Sequence, residues 1–272
     1  MVVTEKAATL ELPELAGDYL NRLVETVRGD DRFTGVLLAG SGATGTMDRF
    51  SDLDTVIVCE DDHHREVLGK AVEFARSLGP LLAAFTGEHV GEPRLLICLF
   101  GPPLLHVDLK FVTVADLAHR AEDGVTVWQR GTAVADALES STATWPTPDP
   151  QWIEDRFWAW IHYATTKIGR GELFECLDTL SALRGMVFGP LLAVRRGQRP
   201  QGMRRIESWA PDEVSPLVAT LGDHTVPGCV AAVRASIDLY RRLRADNTAG
   251  QVCLHPEAEA AAVAYLEEVA EA

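Results

Sequence analysis

The sequence predicts an α+β protein in two parts: helices interspersed with closely spaced strands over residues 1–145, then a helical bundle over residues 146–272. Three observations predict it. Short apolar runs separated by Gly- and Pro-bearing turns recur in the first half. Apolar residues at helical spacing dominate the second half. Between the halves, Trp145-Pro146-Thr147-Pro148-Asp149-Pro150 is a Pro-rich break of the kind that marks a domain boundary.

The elements follow in order. Residues 13–28 space Leu15, Leu20, Leu23 and Val27 along one face of an amphipathic helix. Pro13 suits its first turn, where no backbone N–H is needed, and Gly29-Asp30-Asp31 ends it. Residues 35–39 read as a short buried strand. Residues 40–51, rich in Gly, Ser, Thr and Asp, read as a loop or a loop leading into one helical turn. Residues 53–58 form a second strand. Residues 64–78 read as a helix with Val67, Ala71, Phe74, Ala75 and Leu78 on one side. A further strand covers 81–86, and two more cover 94–100 and 105–112, joined by the turn Gly101-Pro102-Pro103. Beyond the break, helices cover 151–170, 172–196, 226–246 and 256–271, the second with an irregularity at Gly189-Pro190. There is no internal repeat and no low-complexity tract.

The chain has 272 residues, 47% hydrophobic and 24% charged, which is ordinary for a globular protein. No run of about 18 apolar residues is read, so no membrane span is expected. Residues 1–14 mix acidic and apolar side chains without the basic start and apolar core of a secretory signal. A cytoplasmic location is therefore expected. The cysteines, Cys59, Cys98, Cys176, Cys229 and Cys253, are far apart and include no C-x-x-C pair, so buried, reduced thiols are expected. The formal net charge of −15 repels the phosphates of long nucleic acid and favours a cationic partner, although solubility alone would also account for it.

Gly40-Ser41-Gly42-Ala43-Thr44-Gly45 fits G-x-G-x-x-G, the turn of a dinucleotide-binding fold. That fold needs a full helix before the next strand, and Thr46 to Asp52 supplies only seven residues. No Gly-Lys-Ser/Thr follows, so a Walker loop is absent too. A different site fits. The strand over 35–39 delivers Gly40-Ser41 to its end, and small residues there let backbone N–H groups approach a phosphate. Ten residues later the chain reads Asp52-Leu53-Asp54. Residues i and i+2 of a strand share a face, so the two carboxylates aim at one point while Leu53 packs behind. Hard oxygen ligands of this kind suit Mg²⁺. In His106-Val107-Asp108-Leu109-Lys110, alternation places His106, Asp108 and Lys110 on one face. If that strand neighbours the Asp52–Asp54 strand, three carboxylates converge. Each feature alone has a plainer reading: a D-x-D opening a strand as a solvated edge, a lone Asp as an ion-pair partner, here of Lys110. The conjunction carries the signal.

With those residues in view, Leu38-Ala39-Gly40-Ser41 followed by Phe50-Ser51-Asp52-Leu53-Asp54-Thr55-Val56-Ile57 resembles the signature of the DNA polymerase β-like nucleotidyltransferase superfamily, and Asp108 stands where that family places its third acidic residue. In the second half, Lys167-Ile168-Gly169-Arg170-Gly171-Glu172-Leu173-Phe174-Glu175 is similar to the helical domain of lincosamide and aminoglycoside nucleotidyltransferases. The resemblance implies a nucleotidyltransferase domain over 1–145, with a mixed sheet flanked by helices, and a helical substrate- and nucleotide-binding domain over 146–272. It implies transfer of a nucleoside monophosphate, AMP from ATP, to a hydroxyl of a small molecule such as an aminoglycoside or lincosamide, with release of pyrophosphate. Asp52, Asp54 and Asp108 would be the metal-binding and catalytic residues, holding one or two Mg²⁺, with Asp108 sharing a metal or taking the acceptor's proton. Gly40 and Ser41 would bind the β- and γ-phosphates.

Cations for the triphosphate are expected from the helical half. Lys167 and Arg170 lie three apart on one helix face, with Arg184 a further candidate; a solvated basic face at a helix C-terminus is the plainer alternative. Trp152, Trp158, Trp160, His162 and Tyr163 crowd one helix, mostly as core or interface, and one or two of them could line an acceptor pocket. Glu172 and Glu175 could pair with amines on a cationic acceptor or simply begin a helix whose N-terminus favours acids, and Glu88 and Glu92, in the loop before Arg94, are equally free to line the cleft. His63-His64 reads as a helix start rather than a metal site. The sequence leaves open modification of a protein or RNA, a non-catalytic nucleotide sensor, and monomer against homodimer.

Overall fold

The computed structural model describes residues 10–245 and 252–272. The readings of residues 1–9 and of the helix end at Asp246 lie outside these. The chain divides into two compact units, Met1–Trp145 and Pro146–Ala272. The fold is α+β, with a mixed sheet flanked by helices in the first unit and helices in the second.

The first unit contains α1 (Glu14–Arg28), β1 (Phe33–Leu38), a single helical turn α2 (Gly40–Ala43), β2 (Leu53–Cys59), α3 (Asp61–Gly69), α4 (Ala71–Ser77), β3 (Leu81–Gly87), β4 (Glu92–Phe100), β5 (Leu105–Thr113), β6 (Val125–Gln129) and α5 (Ala133–Glu139). The six strands form one sheet in the order β3-β4-β5-β2-β1-β6. The β2–β5 pair is parallel and the other pairs are antiparallel. Side chains alternate across the sheet. Leu53, Ile57, Cys59, Val107, Leu109 and Phe111 therefore enter the main core, where they meet Tyr19, Leu20 and Leu23 of α1 and Ala71 and Ala75 of α4. The opposite face carries a smaller apolar cluster, in which Val58 and Val112 pack with Leu117 and with Val134 of α5. That cluster sits on the later residues of β2 and β5. The earlier residues on the same face are Asp54, His106 and Asp108.

Three local expectations change. The helix expected over 64–78 begins earlier and is two helices, because Lys70 (φ −115°, ψ 13°) leaves the helical region. The helical turn comes at once after β1 and the loop follows it. Strand β6 and helix α5 are additions to the elements expected from the sequence.

The second unit contains α6 (Pro150–Gly169), α7 (Leu173–Leu183), α8 (Gly189–Arg195), α9 (Ile206–Trp209), α10 (Val214–Ala219), α11 (Val226–Ala245) and α12 (Pro256–Glu271). The Asp149 carboxylate caps α6 by accepting from the Gln151 N–H at 2.9 Å. A wider π-helical turn, Arg184–Phe188, joins α7 to α8. Pro190 has no N–H to donate back along the helix, and a widened turn accommodates that gap. Gly189 is needed for a close approach, since a Cβ there would lie 2.1 Å from the Gly202 carbonyl oxygen.

By length and composition the run Leu173–Arg195 is apolar enough to cross a membrane, which the sequence reading did not expect. Its Cys176, Leu180, Leu183, Val187, Phe188 and Leu192 are buried in the core of this unit, so it reads as a core helix. In that core the Phe157 and Tyr240 rings stack with centroids 3.8 Å apart. Glu154 is buried among them and accepts from Tyr240 Oη (2.7 Å), Trp158 Nε1 (3.1 Å), the His255 N–H (3.1 Å) and the Arg244 guanidinium (3.1 Å). A buried carboxylate satisfied on this scale is structural.

Cys59, Cys98, Cys176 and Cys229 are buried, and burial pushes the first three up to about 12, so they are unreactive thiols. Cys253 departs from the expectation and is exposed. It lies just before α12, where its N–H donates to Gln151 Oε1 at 2.7 Å.

Candidate metal and phosphate site

The site is built where β1 ends and β2 and β5 begin. The Ala39 N–H donates to the Asp54 carbonyl at 2.9 Å, which extends the β1–β2 ladder by one residue. The chain then turns sharply at Gly40, whose φ of +54° lies in the left-handed region. A Cβ at Gly40 would stand 2.0 Å from Asp54 Oδ2, so the backbone of residue 40 rests directly on that carboxylate. In the same turn, Ser41 Oγ is buried and finds no hydrogen-bond partner among the described residues. An unmet buried hydroxyl costs about 1–3 kcal/mol.

The loop that follows is internally tied. Thr44 Oγ1 donates to the Ser41 carbonyl at 3.2 Å, and the Thr46 N–H donates to the same carbonyl at 3.0 Å. The Phe50 N–H donates to Asp48 Oδ1 at 2.8 Å, and Ser51 Oγ both donates to that oxygen and accepts from the Asp48 N–H, each at 3.0 Å. This reciprocal turn hands the chain to Asp52 and β2.

Asp54 and Asp108 lie opposite one another in the parallel β2–β5 pair, and Asp52 precedes β2 by one residue. The three carboxylates each offer an oxygen, and these oxygens lie within 4.8 Å of one another. His106 Nε2 and Asp108 Oδ1 are 3.0 Å apart, so the imidazole engages one carboxylate oxygen of the triad. The Asp108 side chain is 19% exposed and the three residues are all half-buried, which leaves the cluster open to a ligand.

The donor set is all hard oxygen, with neither thiolate nor imidazole among the three converging ligands. It fits a small divalent cation of the Mg²⁺ type. The orphaned Ser41 hydroxyl and the bare Gly40 backbone beside Asp54 fit a phosphate oxygen at the same place.

The structure brings Gly40, Ser41, Asp52, Asp54 and Asp108 together in the first unit. Lys167 and Arg170 lie in the second unit, both facing Glu172, at 2.6 Å and 3.8 Å. The Glu172 carboxylate holds the Lys167 ammonium above its ordinary range, and the Tyr163 ring lies 4.9 Å from Nζ. Arg184 Nη1 donates to the Thr220 carbonyl at 2.8 Å and is a structural residue of that unit. Of the aromatic group on α6, Trp158 is buried, while Trp152 and Tyr163 are exposed.

Other expectations are corrected. Lys110 pairs with Glu92 at 2.7 Å. Glu92 is not free to line a cleft. Burial opposes its ionisation, but hydrogen bonds from Arg94 and Lys110 outweigh burial and hold its carboxyl down at about 2. Glu175 accepts from Tyr163 Oη at 2.7 Å, and Glu172 is taken up by Lys167. His63 and His64 do lie at the start of α3, in keeping with the helix-start reading, and His64 Nε2 is 3.1 Å from the Phe111 carbonyl oxygen. The contact of His106 with Asp108 escaped the sequence reading, although their i, i+2 spacing on one strand face was its signal.

No family model matches the chain, and no curated protein matches it significantly. Among solved structures the chain is similar to an aminoglycoside 6-adenyltransferase from Bacillus subtilis, at 15% identity over 93% of this chain and 98% of that one, with a TM-score of 0.40. It is also similar to a nucleotidyltransferase-like protein from Exiguobacterium sibiricum 255-15, at 10% identity over 84% of this chain and 75% of that one, with a TM-score of 0.38.

Proposed function

We propose that this chain is a metal-dependent nucleotidyltransferase that moves a nucleoside monophosphate, AMP from ATP, onto a hydroxyl of a small molecule of the aminoglycoside or lincosamide kind. The observation that carries the reading is the convergence of Asp52, Asp54 and Asp108 on one point beside the Gly40–Ser41 turn. Asp52, Asp54 and Asp108 would hold Mg²⁺. A bound Mg²⁺ supplies charge neutralisation at the α-phosphate and the leaving pyrophosphate. The Gly40 backbone and the buried Ser41 hydroxyl would receive phosphate oxygens and so orient the chain of phosphates. Lys167 and Arg170 would be the candidates for further phosphate contacts. The bond formed joins the acceptor oxygen to the α-phosphorus, the bond broken releases pyrophosphate, and the acceptor's proton passes to the Asp108 carboxylate.

The test is pyrophosphate release with Mg²⁺, each nucleoside triphosphate in turn, and a panel of aminoglycosides and lincosamides, with mass spectrometry of any adduct. Asp52→Asn and Asp54→Asn are each expected to lower turnover about 100-fold or more while leaving the thermal unfolding midpoint near that of the unchanged chain. Wild-type turnover in either variant would refute the metal assignment. Labelled protein bands in lysate supplied with labelled ATP, without a drug adduct, would point to protein modification instead.

A further inference from the structure

We propose that the acceptor lies across an apolar strip formed by Phe85, Ile97 and Leu99, and is therefore an amphipathic hydroxyl compound with an aliphatic or aromatic flank rather than a bare polycation. The proposal rests on the nucleotidyltransferase reading above. It starts from strand register. Across the sheet, Phe85 of β3 pairs with Ile97 of β4, Ile97 with Asp108 of β5, and Asp108 with Asp54 of β2. The neighbouring row pairs Leu99 of β4 with His106 of β5. Paired residues share a face of the sheet. Leu96, Cys98 and Phe100 of β4 enter the main core, so Ile97 and Leu99 point the other way, onto the face of the carboxylates.

That face is unusual in its exposure. Phe85 is 54% exposed and Leu99 38% exposed, although both belong to well-paired strands. Strands lie about 4.8 Å apart, so Ile97 stands one spacing and Phe85 about two spacings from Asp108. This is the reach of a small molecule. A protein partner needs roughly 800 Å² on each side, far more than three side chains offer.

The sides of the site are also assigned by topology. Gly40 and Ser41 follow β1, which lies beyond β2 from β5. Phosphates held at that turn occupy the β1 side of the carboxylates. Attacking and leaving oxygens lie roughly in line across the phosphorus, so the acceptor oxygen approaches from the β5 side, where the strip continues. Four charged side chains near the strip pair with one another. Glu92 is held by Arg94 and Lys110, and Arg94 also meets Asp116 at 2.8 Å. Taken up in this way, Glu92 and Asp116 are not offered to a polyamine.

The test uses the full chain and measures two quantities separately. Mg·ATP binding is followed by calorimetry. Pyrophosphate release is followed with a matched panel of hydroxyl acceptors, one half flanked by apolar groups (lincomycin, octyl glucoside, nitrophenyl glycosides) and the other half unflanked (kanamycin, streptomycin, glucose). Turnover is expected in the flanked half. Phe85→Ala and Leu99→Gln, both at exposed positions, are each expected to raise the acceptor KM about 10-fold while the ATP KM stays within about twofold. Two variants guard against one failing to fold. Turnover confined to the unflanked half, no turnover with any acceptor while Mg·ATP still binds, or an acceptor KM indifferent to both variants overturns the strip and leaves the nucleotide reading in place. Absence of Mg·ATP binding removes the nucleotide reading and the strip with it.

Discussion

At the scale of single residues, Gly40 is the most constrained position in the candidate site. Its backbone is left-handed, and the space a side chain would need is already filled by Asp54 Oδ2. Gly40→Ala meets both obstacles. The left-handed conformation costs an alanine about 1–2 kcal/mol, and the new methyl must push the Asp54 carboxylate out of the triad. We therefore expect a small drop in the unfolding midpoint with a turnover loss of about 100-fold or more, as severe as removal of Asp54 itself. A variant that unfolds earlier yet keeps its turnover would show that the close approach does not position Asp54. Alternation and loop length made much of this site legible. Asp52 and Asp54 flank a core leucine, and a seven-residue return excluded a dinucleotide fold. The close approach at Gly40 was not legible, because it depends on which rotamer Asp54 takes across a strand pair. The His106 contact was half legible: spacing placed it on the right face, but only the fold shows which neighbour it engages.

At the scale of elements, the parallel pairing of β2 with β5 is the decisive feature, and it was the condition on which the sequence reading depended. Nothing local to either strand dictates it. The pairing follows from burying Leu53, Ile57, Val107 and Phe111 against α1 and α4, a property of the assembled sheet. Long periodic elements such as α1, α6 and α11 were legible, whereas the short β6 and the break at Lys70 were not. One ion pair tests how β4 is held to β5. Glu92 opens β4 and grips Lys110 of β5 at 2.7 Å. Its carboxyl is lowered from 4.5 to about 2 in the folded chain. A lowered folded-state pKa contributes stability that is fully present above pH 4.5 and is lost as pH falls toward 2. Glu92→Gln should therefore destabilise the chain by about 1–2 kcal/mol at neutral pH, after allowance for solvent screening of a partly exposed pair. The gap between the two proteins should close as the pH is lowered through that window. A gap that stays constant with pH, followed by denaturant unfolding, would assign the loss to shape rather than charge.

At the scale of the whole molecule, the division between Trp145 and Pro146 separates two hydrophobic cores, each composed of residues from its own side of the break. The flanks of the break are anchored locally. On one side the Thr144 N–H donates to the Arg120 carbonyl at 3.0 Å, and the Arg120 guanidinium holds the Ser141 carbonyl at 2.9 Å. On the other, Asp149 caps α6. Each unit thus carries its own sheet or helix ladder and its own terminal contacts, the conditions for independent folding. A protease recognition sequence inserted between Thr147 and Pro148 should be tolerated and, once cut, should release two fragments that each unfold cooperatively by circular dichroism. The candidate metal ligands all belong to the first fragment, while Lys167 and Arg170 belong to the second. The first fragment alone should therefore keep Mg²⁺ binding by calorimetry while nucleotidyl transfer falls away. Loss of cooperative unfolding in either fragment would show that one core depends on the other. Full turnover by the first fragment alone would show that Lys167 and Arg170 take no part in holding the triphosphate.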